Sequence, residues 1–176
     1  MQRLTMQRMT LIACCLLLLP VSLPVSMIAQ EVSAPRATAN AFFGVGGAFS
    51  EGERAGILHI GGGGEARIYK GLSAGAELGY LHPTKEFRDG FGLFSANGAY
   101  HFWTSSSQRA VPFLTAGYSL AFRNGTANLA NFGGGVDFWF HDHAALRLEV
   151  RDHIWPSQNG SPTANFLMFR IGLVGR

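Results

Sequence analysis

The sequence predicts an all-β protein, an eight-stranded antiparallel up-and-down transmembrane β-barrel, and three observations carry that prediction. From Asn40 onward apolar residues recur at every second position, and no window shows a convincing 3.6-residue period. Turn residues divide this alternating stretch into eight runs, each about ten residues long, the length of a membrane-crossing strand. Nearly all the charge borne by those runs lies on one of their two faces.

Composition points the same way. Charged residues make up 14% of the 176-residue chain, against about a quarter to a third on a water-soluble surface. Lysine is confined to Lys70 and Lys85, and there are 23 glycines and 14 phenylalanines. Part of such a surface faces something other than water. The formal charge of +3 does not mark a nucleic-acid binder. Arg3 and Arg8 lie in the N-terminal segment, so residues 30–176 carry 12 of the 14 basic residues and all 11 acidic ones. No basic stripe remains.

Residues 1–29 have the parts of a secretory signal peptide. A basic start precedes the apolar run Leu11–Leu19, and a Pro-broken segment ends near Ala29. The run is too short for a transmembrane helix. Both cysteines, Cys14 and Cys15, fall inside it, so disulfide and thiol chemistry are not expected in the secreted protein. Residues 30–39, "QEVSAPRATA", read as a flexible lead-in, and 40–176 as the barrel domain.

The expected strands are 41–49, 57–69, 72–82, 91–103, 110–123, 129–140, 143–154 and 165–175. "KG" after Tyr69 and "HDH" after Phe140 are tight connections, and "TSSSQR" (104–109) is modest. "SEGERAG" (50–56), "HPTKEFRDG" (82–90), "RNGTAN" (123–128) and "WPSQNGSPTA" (155–164) form a longer, more polar set at the other end. Eight strands can close into a barrel and so remove their exposed edges.

One face carries residues such as Phe43, Ile60, Leu78, Phe94, Leu114, Phe132, Val150 and Phe169, and almost no charge. The other carries Glu65, Glu77, Asp137 and Glu149 with Arg67, Arg147, Arg151 and Arg170, among small and polar residues. A membrane barrel turns the apolar face out and pairs its charges in the lumen, whereas a soluble carrier does the reverse. A Gly-rich face almost without lysine makes a poor soluble exterior and suits a narrow lumen. Aromatic residues near both strand ends are read as two interfacial belts: Phe102, Trp103, Phe138, Trp139 and Phe140 at the short-turn end, Tyr80, Phe91, Phe122 and Trp155 at the other.

The stretch "NLANFGGGVDFWFHDHAALRLEVRDH" (128–153) and the final "FLMFRIGLVGR" (166–176) resemble the OmpA-like and OmpX-like outer-membrane barrels of Gram-negative bacteria. The resemblance implies periplasmic termini and short periplasmic turns, extracellular loops and a lumen of paired charges. It also implies insertion by the barrel-assembly machinery into outer-membrane lipid and lipopolysaccharide, as a monomer. One departure stands out: the chain ends Leu173-Val174-Gly175-Arg176 where such barrels commonly end in an aromatic residue.

Candidate chemistry is sparse. His141 and His143 in "HDH" sit in a tight turn without a third ligand, and "GGGG" (61–64) lacks the Lys-Ser/Thr and helix of a phosphate loop. His153 invites comparison with the outer-membrane lipid A deacylases, which are similar barrels with a His, a Ser two residues later and a rim Glu. Here "HIWPS" puts Trp155 at the Ser position and the nearest serine at Ser157. His59, His82 and His101 show no constellation and are expected near interfaces or loops. No catalytic, metal or cofactor-binding residue is expected. The eight inner charges are the candidate site, either as a salt-bridged plug or as a weak passive pore. A structural or surface-interaction role through the four outer loops, whose ligand the sequence does not name, is the expected function. A lipid A-modifying hydrolase and a soluble periplasmic lipocalin-like carrier are the alternatives.

Overall fold

The structure, a computed structural model, describes residues 37–103, 109–157 and 162–176, which form the eight-stranded unit of the chain. The expected signal peptide and the first residues of the lead-in lie outside the described residues.

The eight strands are β1 (Ala37–Ser50), β2 (Glu53–Tyr69), β3 (Leu72–Pro83), β4 (Phe91–His101), β5 (Ala110–Phe122), β6 (Thr126–His141), β7 (Ala144–Trp155) and β8 (Ala164–Gly175). Each pairs antiparallel with its neighbours in sequence, and β1 pairs with β8 to close the barrel. Closure removes both sheet edges, so the backbone groups of every strand are paired within the wall.

Strands run longer at the outer end than expected. β1 and β2 continue past 50–56 as far as Ser50↔Glu53 and meet in the two-residue turn Glu51–Gly52. Glu51 and Gly52 both have positive φ (32° and 87°), and Lys70 and Gly71 repeat the arrangement (29° and 90°). These are the primed hairpin turns whose twist matches the strands, and glycine supplies the second position without steric cost. "SEGERAG" is therefore mostly strand, because polar residues alternate as readily as apolar ones above the bilayer. β6 likewise starts at Thr126, leaving Arg123–Gly125 as the connection, and β1 takes in Ala37–Ala39 from the expected lead-in. Between β3 and β4 lies one short 3₁₀ turn, Phe87–Asp89.

Side-chain alternation sorts the two faces as expected. Ile60, Leu78, Leu114, Phe132, Val150, Phe169 and Leu173 are exposed on the outside of the wall. Glu77, Asp137, Arg147, Glu149, Arg151 and Arg170 are buried inside it. A soluble carrier needs the opposite arrangement, so that alternative loses its physical basis. No helix among the described residues is long and apolar enough to cross a membrane; this barrel presents strands instead.

The close approach of neighbouring strands demands glycine at specific positions of the wall. A Cβ at Gly135 on β6 would collide with the carbonyl oxygen of Leu148 and lie 2.9 Å from the Cα of Glu149, both backbone atoms of β7. Gly135→Ala should therefore destabilise the barrel by about 1–3 kcal/mol, the usual cost of overpacking. Guanidinium unfolding in lipid vesicles measures this, and an unchanged midpoint would show that the wall can yield there.

Candidate functional site

Of the eight inner charges expected from the sequence, the seven other than Arg67 form two clusters stacked along the lumen. Their side chains point inward because each lies at an inner position of its strand's two-residue period.

The cluster nearer the chain termini is built on Arg147. Its Nε donates to Asp137 Oδ1 at 2.6 Å and its Nη2 to Asp137 Oδ2 at 2.8 Å, a bidentate pair between cross-strand neighbours of β6 and β7. Glu65 Oε2 lies 3.8 Å from Arg147 Nη1. The other Glu65 oxygen accepts from Ser73 Oγ at 2.8 Å and sits 2.5 Å from His101 Nε2. The Phe113 ring lies beneath the guanidinium, 4.4 Å from centroid to Cζ.

The second cluster is a closed ring of alternating sign. Arg151 holds Glu149 Oε1 through Nε at 2.6 Å and Nη2 at 2.5 Å, and its Nη1 lies 3.6 Å from Glu77. Arg170 approaches Glu77 at 3.1 Å and Glu149 at 3.5 Å, with its guanidinium 3.5 Å above the Phe42 ring. Two acids and two bases, drawn from β3, β7 and β8, thus balance in charge in a water-poor interior, although Arg170 Nε and Nη1 have no hydrogen-bond partner among the described residues. A cavity of about 10 Å³ separates the clusters, and one of about 20 Å³ lies at the inner end. Each is about the size needed for one water molecule.

Arg67 stands apart from these clusters. It lies at the inner rim, half-buried, with its guanidinium over the Trp103 ring at 5.4 Å. Trp103 and Trp139 pack near each other there, their centroids 6.3 Å apart, and both line the inner cavity. They cap the lumen and do not join the aromatic belt with Phe102, Phe138 and Phe140, which are exposed on the outside. Strand parity explains the correction, since Trp139 shares the inner face with Asp137.

Sequence reasoning also missed the histidines. His59 and His101 are buried in the lumen, not placed at interfaces or loops, and His153 is buried there as well. His101 bridges the inner cluster, with its second ring nitrogen 3.8 Å from Asp137. His153 pairs with Ser119 Oγ at 3.1 Å and not with Ser157; Ser119 also meets Ser95 at 2.8 Å and accepts from Asn131 at 2.9 Å. A Ser–His pair that faces inward cannot reach a lipid substrate at the outer surface, so the hydrolase reading gains nothing from it. His141 and His143 lie in an exposed turn, and no group of three or more possible ligands among the described residues could hold a metal ion.

A third layer was absent from the sequence reading. Ile57, Leu81, Leu93, Leu129 and Met168 pack into one buried cluster across the lumen, flanked by Ala48, Phe91, Ala121, Ala127 and Phe166. Each of the five is the next inward position beyond His59, Gly79, Ser95, Asn131 or Arg170 toward the outer end of its strand. Above the cluster a recess of about 320 Å³ opens at the rim, walled by Phe91, Phe122, Trp155 and Phe166 with Leu129 at its floor. Phe91, assigned to the outer aromatic belt by sequence, thus packs toward the lumen, in edge contact with Phe166 at 6.0 Å.

Comparison with solved structures follows this geometry. Neisserial surface protein A superposes with a TM-score of 0.63 at 16% identity, covering 80% of this chain and 97% of that one. The N-terminal β-barrel domain of Pseudomonas aeruginosa OprF gives 0.58 at 15%, covering 80% and 96%. This is the fold of the small outer-membrane β-barrels. The outer-membrane enzyme PagL matches with a TM-score of 0.58 at 15% identity over 76% of this chain and 97% of its own. Identities this low establish the barrel and not a shared activity. No protein-family model matches the chain, and no curated protein matches it.

Proposed function

We propose that the protein resides in the bacterial outer membrane as a monomeric barrel whose lumen is a plug and whose working surface is its outer end. One observation carries this reading: an outer wall that is apolar apart from Arg54 and Asp152 near its outer end encloses two clusters of charges of opposite sign that face one another. That arrangement suits a rigid membrane anchor presenting β-turns and connections to the outside. Outer-membrane lipid and lipopolysaccharide are the partners its wall fits, and the barrel-assembly machinery is its route of insertion. Solute transport has little support, because the cavities beside the charges are no larger than about 20 Å³.

The reading is tested by placement and topology. The protein should fractionate with outer membranes and show heat-modifiable gel mobility. A protease site inserted between Asn124 and Gly125 should be cut in intact cells. One inserted between Asp142 and His143 should be cut only after the outer membrane is permeabilised. Recovery as a detergent-free soluble protein, or the reverse cleavage pattern, would overturn it.

A further inference from the structure

We infer that the barrier to ions in this barrel is the apolar layer of Ile57, Leu81, Leu93, Leu129 and Met168 near the outer mouth, and not the ion-pair clusters below it. This rests on the reading of a closed lumen and names what closes it.

The lumen is polar over most of its length. Below the apolar layer lie Ser95, Ser119, Asn131 and His153, joined by hydrogen bonds, with His59 alongside. Both ring nitrogens of His59 and Nε2 of His153 have no hydrogen-bond partner among the described residues, so this layer has spare capacity to bind water. Further down, the charged clusters flank cavities of about 10 and 20 Å³, and their arginines are long side chains that can exchange carboxylate partners. An ion passing these levels meets groups able to replace its hydration shell.

At the apolar layer it meets none. Leu81 and Met168 are 1% exposed, and Ile57, Leu93 and Leu129 are 2% exposed. Five side chains from β2, β3, β4, β6 and β8 converge without a polar atom other than the Met168 sulfur. A constriction of this kind excludes water, and an ion cannot cross it without shedding its shell. The outer recess ends on the same residues, with Leu129 common to the recess and the layer. Two wettable compartments thus meet at one dry septum.

Planar-bilayer recordings on the full-length barrel test this, with folding checked by heat-modifiable mobility. The wild type should be silent. Leu93→Asn and Leu129→Asn, which keep the number of side-chain heavy atoms and their branching, together with Met168→Gln make the layer polar and should produce discrete channel events. Where the triple variant fails to fold, Met168→Gln alone should raise the frequency of brief openings. The pair Glu149→Gln and Arg151→Met, which loosens the charged ring and leaves the septum intact, should stay silent. A folded polar-septum variant that is silent, or a charge-ring variant that conducts, overturns the inference while leaving the membrane reading intact. A wild-type barrel that conducts overturns the closed lumen as well.

Discussion

Arg151→Met is expected to destabilise the barrel by about 3–5 kcal/mol, the cost of leaving a buried charge without its partner. Arg151 holds Glu149 Oε1 through two nitrogens and is the second cation facing Glu77. Without it, Arg170 alone faces both carboxylates, at 3.1 and 3.5 Å, and the ring carries an uncompensated negative charge. Adding Glu149→Gln removes that charge and leaves Glu77 paired with Arg170. The double variant should therefore lose less stability than Arg151→Met alone. A double-mutant cycle from guanidinium unfolding in phospholipid vesicles measures the coupling. If the two losses simply add, the ring is not an energetic unit, and the 2.5–2.6 Å contacts contribute nothing beyond packing.

The route from sequence to this ring shows what alternation can and cannot specify. "ALRLEVRDH" places Arg147, Glu149 and Arg151 on one face of a strand, so their common direction follows from the two-residue period alone. Their partners do not. Asp137 is the direct cross-strand neighbour of Arg147, but Glu77 reaches Arg170 from a strand that is not its neighbour. That contact depends on the curvature of the closed wall. His101 was overlooked because it lies alone at a strand end, although its parity matches Asn97 and Ser95 on β4. The apolar septum was overlooked for a different reason. Its five members lie on the face that carries the charges, and attention to charge made that face read as uniformly polar. Only when the strands are staggered around the barrel do Ile57, Leu81, Leu93, Leu129 and Met168 fall into one cluster. Outer turns were read too long because the polar ends of β1 and β2 pair as regularly as their apolar middles.

The outer wall gives the other large effect. Val150 lies midway along β7 on the outside, 49% exposed, opposite Gly134 on β6 and Phe169 on β8. In water, arginine at such a position would change stability by no more than about 0.5 kcal/mol, as at most exposed sites. In lipid the guanidinium must snorkel or draw water inward, at about 2–4 kcal/mol near the midplane. Val150→Arg should therefore lower the unfolding free energy in vesicles by that amount. Arginine in place of Thr126, at the outer end of β6 and on the same outward face as Phe132, should cost about 0–1 kcal/mol, since the penalty fades toward the interface. The gradient between the two positions is the informative quantity. A charged side chain that costs the same at both would mean that the apolar wall is not embedded in hydrocarbon. The inward pairing of Arg147, Arg151 and Arg170 would then have to be explained as stabilisation of the lumen alone. A cost that peaks at Val150 ties both halves of the alternation to one cause: the bilayer holds the charges inside because it will not accept them outside.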